Sequence, residues 1–395
     1  MECAASGRYS VKQKEELEQT VVQSLDLLTA IEDQELQHRI SEIVWKKARS
    51  EQIPVKTVLR YEKEIFYALR RQDILTELLL DPSVSEIMVN GEQHIFVERH
   101  GRIEPAACSF SSRAKLENLI QRIVSGVNRL ANESVPIADA RLADGSRVNV
   151  VLPPISLDGP VLTIRKFPEH PLCMEDLIRM GSVPQKWADW LQEMVQARKN
   201  MFISGGTGSG KTTFLNVLSQ WIPEQERVIT IEDSAELQLR TIPNLVRLEA
   251  RNENLEGENA VTIRQLIRTA LRMRPDRIIV GEVRGPEVLD MLQAMNTGHE
   301  GSLSTGHANS AEDMLYRMET MILMGIEIPL SAIRHQIASA LDILIHLERD
   351  GKGRRYLASI QRMKGVEYNE YQMETLYRRE EDGFAAEVER TEYKE

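Results

Sequence analysis

GGTGSGKTT, residues 205–213, decides the fold. It fits the pattern GxxxxGK[ST] without a mismatch. The apolar segment MFIS (201–204) precedes it, and Phe214, Leu215, Leu218 and Trp221 or Ile222 recur at helical spacing after it. A strand running into a glycine-rich turn and then a helix is the context this motif needs. Glycines let backbone N–H groups curl around phosphate oxygens, and the helix N-terminus adds its partial positive charge. Gly205, Gly206, Thr207, Gly208, Ser209, Gly210, Lys211, Thr212 and Thr213 are therefore the candidate phosphate-binding residues. Lys211 is expected to reach the β- and γ-phosphates of a nucleotide, and Thr212 to ligate Mg²⁺.

Outward from this motif the chain alternates. A helix over 184–198 leads to MFIS, then helix 212–222, strand RVITI (227–231), helix 261–272, strand RIIVG (277–281), helix 286–296, strand SLST (302–305) and helix 311–324. Such alternation implies a parallel sheet covered on both faces, an α/β P-loop domain expected over 169–362. LDILIHLE and RRYLASI flank DGKG (350–353) and predict a closing hairpin. The extension 363–395 ends in REEDGFAAEVERTEYKE, expected to be frayed.

Upstream, DPSVSEIMVNGEQHIFVERHGRIEP (81–105) reads as short strands around an NG turn. A helix near 111–129 follows, with Leu116, Leu119, Ile120, Ile123 and Val127 on one face, and then the strands RVNVVLPP and VLTIRKF. This predicts an α+β domain over 76–168, with a proline-bearing linker near 166–175. Residues 1–75 predict a helical region. Its apolar positions are Leu17, Val21, Leu25 and Leu28, then Ile40, Val44 and Ala48, then Leu59, Phe66 and Leu69.

The totals narrow the function. With 395 residues, 42% hydrophobic and 28% charged, the chain can form packed cores. A net charge of −11 and the lack of interleaved basic and aromatic residues make nucleic acid an unexpected partner. Cys3, Cys108 and Cys173 form no zinc set and imply a reduced, cytoplasmic chain. No apolar run approaches a membrane span, so a soluble protein without direct membrane insertion is expected.

Two strand ends carry acids. IIVGE (278–282) ends in Glu282, with glycine where an aspartate usually precedes the glutamate. Glu282 is a candidate to hold Mg²⁺ through water or to polarise an attacking water. VITI ends in Glu232 and Asp233, with Glu236 nearby, and Glu232 is the favoured candidate because Asp233 or Ser234 can equally cap a helix. Both strand ends open at the edge where parallel sheets bind ligands. HEGSLSTGH (299–307) leaves three readings from its residues: a metal site on His299, Glu300 and His307, a flexible loop, or a segment that senses a nucleotide.

GGTGSGKTT, ITIEDSAEL, RMRPDRIIVGEVRGPE and MNTGHEGSLSTGHANS, in this order, resemble the four signatures of the secretion-type ATPases of type II and type IV secretion and of type IV pili: a Walker A motif, an Asp box, an atypical Walker B strand and a His box. RLADGSRVNVVLPPISLDGPVLTIRKF and DPSVSEIMVNG are similar to the CpaF/TadA branch, the motor of tight-adherence (Flp) pili. The resemblance covers roughly residues 72–362. It implies a RecA-like ATPase domain preceded by a PAS-like α+β domain, with ATP and Mg²⁺ as cofactors. It also implies a homo-hexamer working on an integral-membrane platform protein at the inner face of the plasma membrane. It puts the His-box segment, with His299 and His307, close to the γ-phosphate. It further implies that the α+β domain supplies cationic contacts to the phosphates. Arg147 and Arg165 are the favoured candidates and Arg141 lies nearby, with solvated or salt-bridged surface charges as the alternative; Arg272 is a candidate to act across a subunit interface or, equally, to be structural.

Overall fold

The structure, a computed structural model, describes residues 2–25, 31–99, 101–127, 129–167, 171–251, 260–379 and 385–387. The chain divides into two units, 1–169 and 170–395.

The first unit opens with α1 (Glu2–Ser24), α2 (Asp33–Glu51), α3 (Val55–Arg70) and the short α4 (Thr76–Leu80). Leu17, Val21, Leu36, Ile40, Val44, Ala48, Val58, Tyr61 and Ile65 form their core. One sequence expectation is corrected here. Leu59 faces solvent, and α3 instead buries Val58, Tyr61 and Ile65, the i, i+3, i+7 stripe one residue away. Leu28 lies outside the described residues.

The same unit continues through β1 (Val84–Asn90), β2 (His94–Arg99), β3 (Arg102–Pro105), α5 (Arg113–Ser125), β4 (Ile137–Arg141), β5 (Arg147–Val151) and β6 (Val161–Arg165). The strands form one antiparallel sheet in the order β3-β2-β1-β6-β5-β4. Side chains alternate across it. Ile87, Val89, Val97, Val148, Val150, Leu162 and Ile164 pack with Leu116, Leu119, Ile120 and Ile123 of α5. Val127, expected on that helical face, falls beyond the helix and is exposed.

The second unit contains α6 (Met174–Arg179), α7 (Gln185–Gln196), β7 (Met201–Gly205), α8 (Lys211–Ser219), β8 (Val228–Glu232), β9 (Leu245–Glu249), α9 (Ile263–Ala270), β10 (Arg277–Val280), α10 (Glu287–Asn296), β11 (Leu303–Gly306), α11 (Ala311–Leu323) and α12 (Leu330–Ala340). It closes with β12 (Ile343–Arg349), β13 (Arg355–Glu367), β14 (Glu370–Arg379) and β15 (Ala385–Glu387). The sheet order is β15-β14-β13-β12-β7-β11-β10-β8-β9. The strands from β12 to β9 run parallel, and β13 to β15 add an antiparallel edge. Successive residues of a central strand go to opposite cores: Phe202 packs with α9 to α12, and Ile203 with α7 and α8. The boundary expected at 362 falls inside β13, because the sheet continues through β14 by antiparallel pairing. Most of the tail expected to fray lies outside the described residues.

Candidate functional site

The centre of the sheet sets the site. β7 is buried along its whole length and delivers Gly205 at its end. A Cβ at Gly205 would collide with Leu347 O and Ser209 Oγ, so only glycine fits. Gly208 and Gly210 take φ of +71° and +95°, the left-handed conformations that the tight loop requires. Gly210 then caps α8, whose first N–H groups have no partner within the helix.

Lys211 is the first residue of α8, and only 7% of it is exposed. Its Nζ donates to Gly205 O and Gly206 O, each at 3.0 Å, and lies 3.2 Å from His307 Nδ1. Burial pushes the lysine pKa down, against the opposing pull of Glu282. The ammonium donates, so His307 Nδ1 accepts, and the proton of a neutral imidazole sits on Nε2. Burial likewise lowers the His307 pKa.

His307 Nε2 stands 2.9 Å from Glu282 Oε1. Oε1 is buried and has no hydrogen-bond partner among the described residues. Glu282 Oε2 accepts from Arg284 Nη2 at 2.8 Å, and Arg284 also approaches Asp233 at 3.7 Å. Thr305 Oγ1 donates to Gly281 O at 2.7 Å and ties β11 to the end of β10.

Glu232 ends β8 beside this group and is 3% exposed. Its Oε1 accepts from the backbone N–H groups of Glu236 and Leu237 at 2.7 and 2.9 Å, while Oε2 is buried without a partner. Burial raises its pKa to about 7. Its position also accounts for the glycine before Glu282. A Cβ at position 281 would come within 2.9 Å of Glu232 Cγ, so an aspartate there has no room.

These donors suit a magnesium nucleotide. Buried groups without partners are costly unless something binds them. Glu282 Oε1, Glu232 Oε2 and Ser209 Oγ are such groups, grouped around the loop and the strand ends next to it. Thr212 is half-buried on the first turn of α8, and its hydroxyl with Glu282 supplies the oxygen ligands Mg²⁺ prefers. Bound there, Mg²⁺ would neutralise phosphate charge. Among the described residues, no group of three His, Cys, Asp or Glu side chains forms a metal site.

The other sequence candidates fall elsewhere. HEGSLSTGH is not a loop throughout, since its centre is the buried strand β11. His307 stands at the phosphate end of β11. His299 stands at the opposite end, its Nδ1 3.3 Å from Ala294 O and its carbonyl accepting from Ser302 Oγ. Arg272 is exposed beyond α9, on the approach to the start of β10 rather than to Glu282. In the first unit, Arg141, Arg147 and Arg165 occupy one cross-strand row, Arg141 opposite Arg147 and Arg147 opposite Arg165. Glu86 continues the row opposite Arg165. Arg284, the partner of Glu282, has no signature in the sequence. Its spacing of two from Glu282 on a loop carries no periodic signal.

Residues 69–379 match the family model described as Type II/IV secretion system protein. The conjugal transfer protein TrbB of Rhizobium radiobacter is 34% identical over 318 residues, 80% of this chain and 94% of that protein. The type IV secretion system protein VirB11 of Brucella suis is 33% identical over 304 residues, 69% of this chain and 84% of that one. The pilus retraction motor PilT with bound ADP superposes with a TM-score of 0.56 at 23% identity, over 76% of this chain and 82% of PilT. The Legionella pneumophila ATPase DotB superposes with a TM-score of 0.52 at 22% identity, over 72% of this chain and 78% of DotB. The last two likenesses show the fold.

Proposed function

From the premise that this chain belongs to the type II/IV secretion system protein family, we propose that it is an ATP-hydrolysing ring motor. It works as a homo-hexamer at the cytoplasmic face of the membrane, on an integral-membrane platform protein. It powers assembly of a Flp/Tad-type pilus or protein secretion. Among the described residues, no helix is long and apolar enough to cross a membrane.

The observation that carries the reading is the Lys211–His307–Glu282 contact series beside the phosphate loop. Lys211 Nζ has three acceptors of the protein to leave for a phosphate. Glu282 keeps one oxygen without a hydrogen-bond donor for water or Mg²⁺. His307 lies between them, so loss of a γ-phosphate would be felt by Lys211 and Glu282 together. By the family resemblance alone, Arg147 and Arg165 are the candidates for cationic contacts to a nucleotide's phosphates. A gain of roughly 10³–10⁵ in rate is the scale for such arginines.

A type IV secretion channel is the second reading, favoured by the names of the relatives, which include conjugal transfer proteins and VirB11. Turnover per protomer, measured against protein concentration with molar mass on the same samples, tests the ring. Specific activity should climb as the hexamer forms. A fully active monomer at every concentration would overturn it.

A further inference from the structure

The sheet order gives the phosphate loop two unlike sides. Glu282 and His307 follow β10 and β11, and Glu232 ends β8, all on one side of β7. A nucleotide held with its terminal phosphate toward them directs its ribose and base to the other side, where β12 is the neighbour. β12 runs parallel to β7, with Leu347 paired to Gly205, so the β12–β13 turn emerges at the same edge as the loop.

Two arginines stand there. Arg349 and Arg355 are cross-strand partners at the mouth of the hairpin. Arg355 Nε donates to Gly208 O at 2.9 Å, and a Cβ on Gly210 would meet its Cδ at 3.3 Å. A trans peptide points its C=O and the next N–H in opposite directions. Holding the Gly208 oxygen outward therefore turns Ser209 N–H into the loop, where it reaches Gly206 O at 3.3 Å. Arg349 lies alongside the same residue, its Nη1 3.4 Å from where a Gly208 Cβ would be. Its side chain is exposed and makes no hydrogen bond or ion pair among the described residues. The turn between them is fixed: Asp350 accepts from the backbone N–H groups of Lys352 and Arg354 at 2.9 and 2.8 Å, and from Arg354 Nε at 2.7 Å.

We propose that this hairpin is the nucleoside-side wall of the site. Arg355 is a positioning residue that holds the Gly208 peptide. Arg349 binds the nucleoside itself, its planar guanidinium stacking on the base and donating to ribose oxygens. Neither residue belongs to the motifs around the loop. The inference rests on the reading of residues 205–213 as a nucleotide site.

Calorimetric titration of the full chain with ADP and with inorganic tripolyphosphate tests it, in wild type, Arg349→Gln, Arg355→Gln and Arg354→Gln. The readout is the ratio of the two affinities, in which a general loss of positive charge cancels. Arg349→Gln should weaken ADP about tenfold and leave tripolyphosphate within about twofold, the scale of one arginine–aromatic contact. Arg355→Gln should weaken both ligands together, as a disturbed phosphate loop would. Arg354→Gln, whose side chain is held by Asp350, should leave the ratio unchanged. An unchanged ratio in Arg349→Gln, or the same change in Arg354→Gln, overturns the nucleoside contact while the phosphate site stands. Failure of wild type to bind either ligand removes the phosphate site and this inference with it.

Discussion

The two ends of β10 treat buried charge in opposite ways. At its start, Arg277 is fully buried and satisfied: Nη2 lies 3.1 Å from Glu226 Oε1, and Nη1 donates to Val195 O at 2.8 Å and Gly301 O at 3.3 Å. Arg198 adds a second cation to Glu226 at 3.2 Å. Just past its other end, Glu282 keeps an oxygen without a donor, and Glu232 beside it does the same. The strand is continuous, so the difference lies in the neighbours. A closed network holds the sheet together, and an open one is poised for a ligand.

The largest expected effect breaks the open end. Glu282→Gln should reduce ATP turnover by about 10²–10⁴-fold, the scale of a positioned acid or base, while ATP binding changes little. Steady-state hydrolysis beside equilibrium binding measures this, and wild-type turnover would shift the role to Glu232. At the closed end, Glu226→Ala leaves Arg277 buried and unpaired. Denaturant unfolding should show a loss of about 3–5 kcal/mol, far more than for Glu282→Gln. Equal losses in the two variants would erase the contrast.

Glu232 gives the next effect. Burial holds its folded pKa at about 7, above the ordinary carboxylate value, so the folded state holds the proton more tightly than the unfolded one. Its contribution to stability is complete below the unfolded pKa and is lost as pH rises toward about 7, on the order of 3 kcal/mol across that window. Glu232→Gln should flatten this part of the stability–pH curve. A curve with the wild-type slope would assign the titration to another group. The smallest effect is steric. Gly281→Ala should cost about 1–3 kcal/mol, because Glu232 is held by two backbone N–H groups and cannot move away freely. Truncating Glu232 to alanine in the same chain should recover much of that loss, and strict additivity of the two changes would contradict the contact.

The elements nearest the site were legible because their signals are local. The glycine spacing of 205–213, the apolar runs before Glu232 and Glu282, and the periodic face of α8 are each contained within about a dozen residues of sequence. Several elements of the unit carry no such local signal, among them β9, α12 and β14. β9 (LVRLE) is a half-exposed edge strand, so burial leaves no apolar run in it. In α12 the buried positions include only a few apolar ones, Ile333, Ile337 and Ala340, a thin pattern for a helix. β14 is mostly half-buried and carries charges at Glu374, Arg378 and Arg379. Within the site, His299 and His307 look alike in sequence, and only the course of β11 separates them. The reason for Gly281 belongs to Glu232, a residue of another strand, and no local pattern carries it.

The most direct test compares wild type with Lys211→Ala for ATP hydrolysis in the presence and absence of Mg²⁺, with thermal melting to establish that the variant is folded. Wild type should show Mg²⁺-dependent turnover, and the folded variant none above background. Normal turnover in Lys211→Ala would contradict this, because the lysine that faces His307 beside Glu282 would then have no part in the reaction.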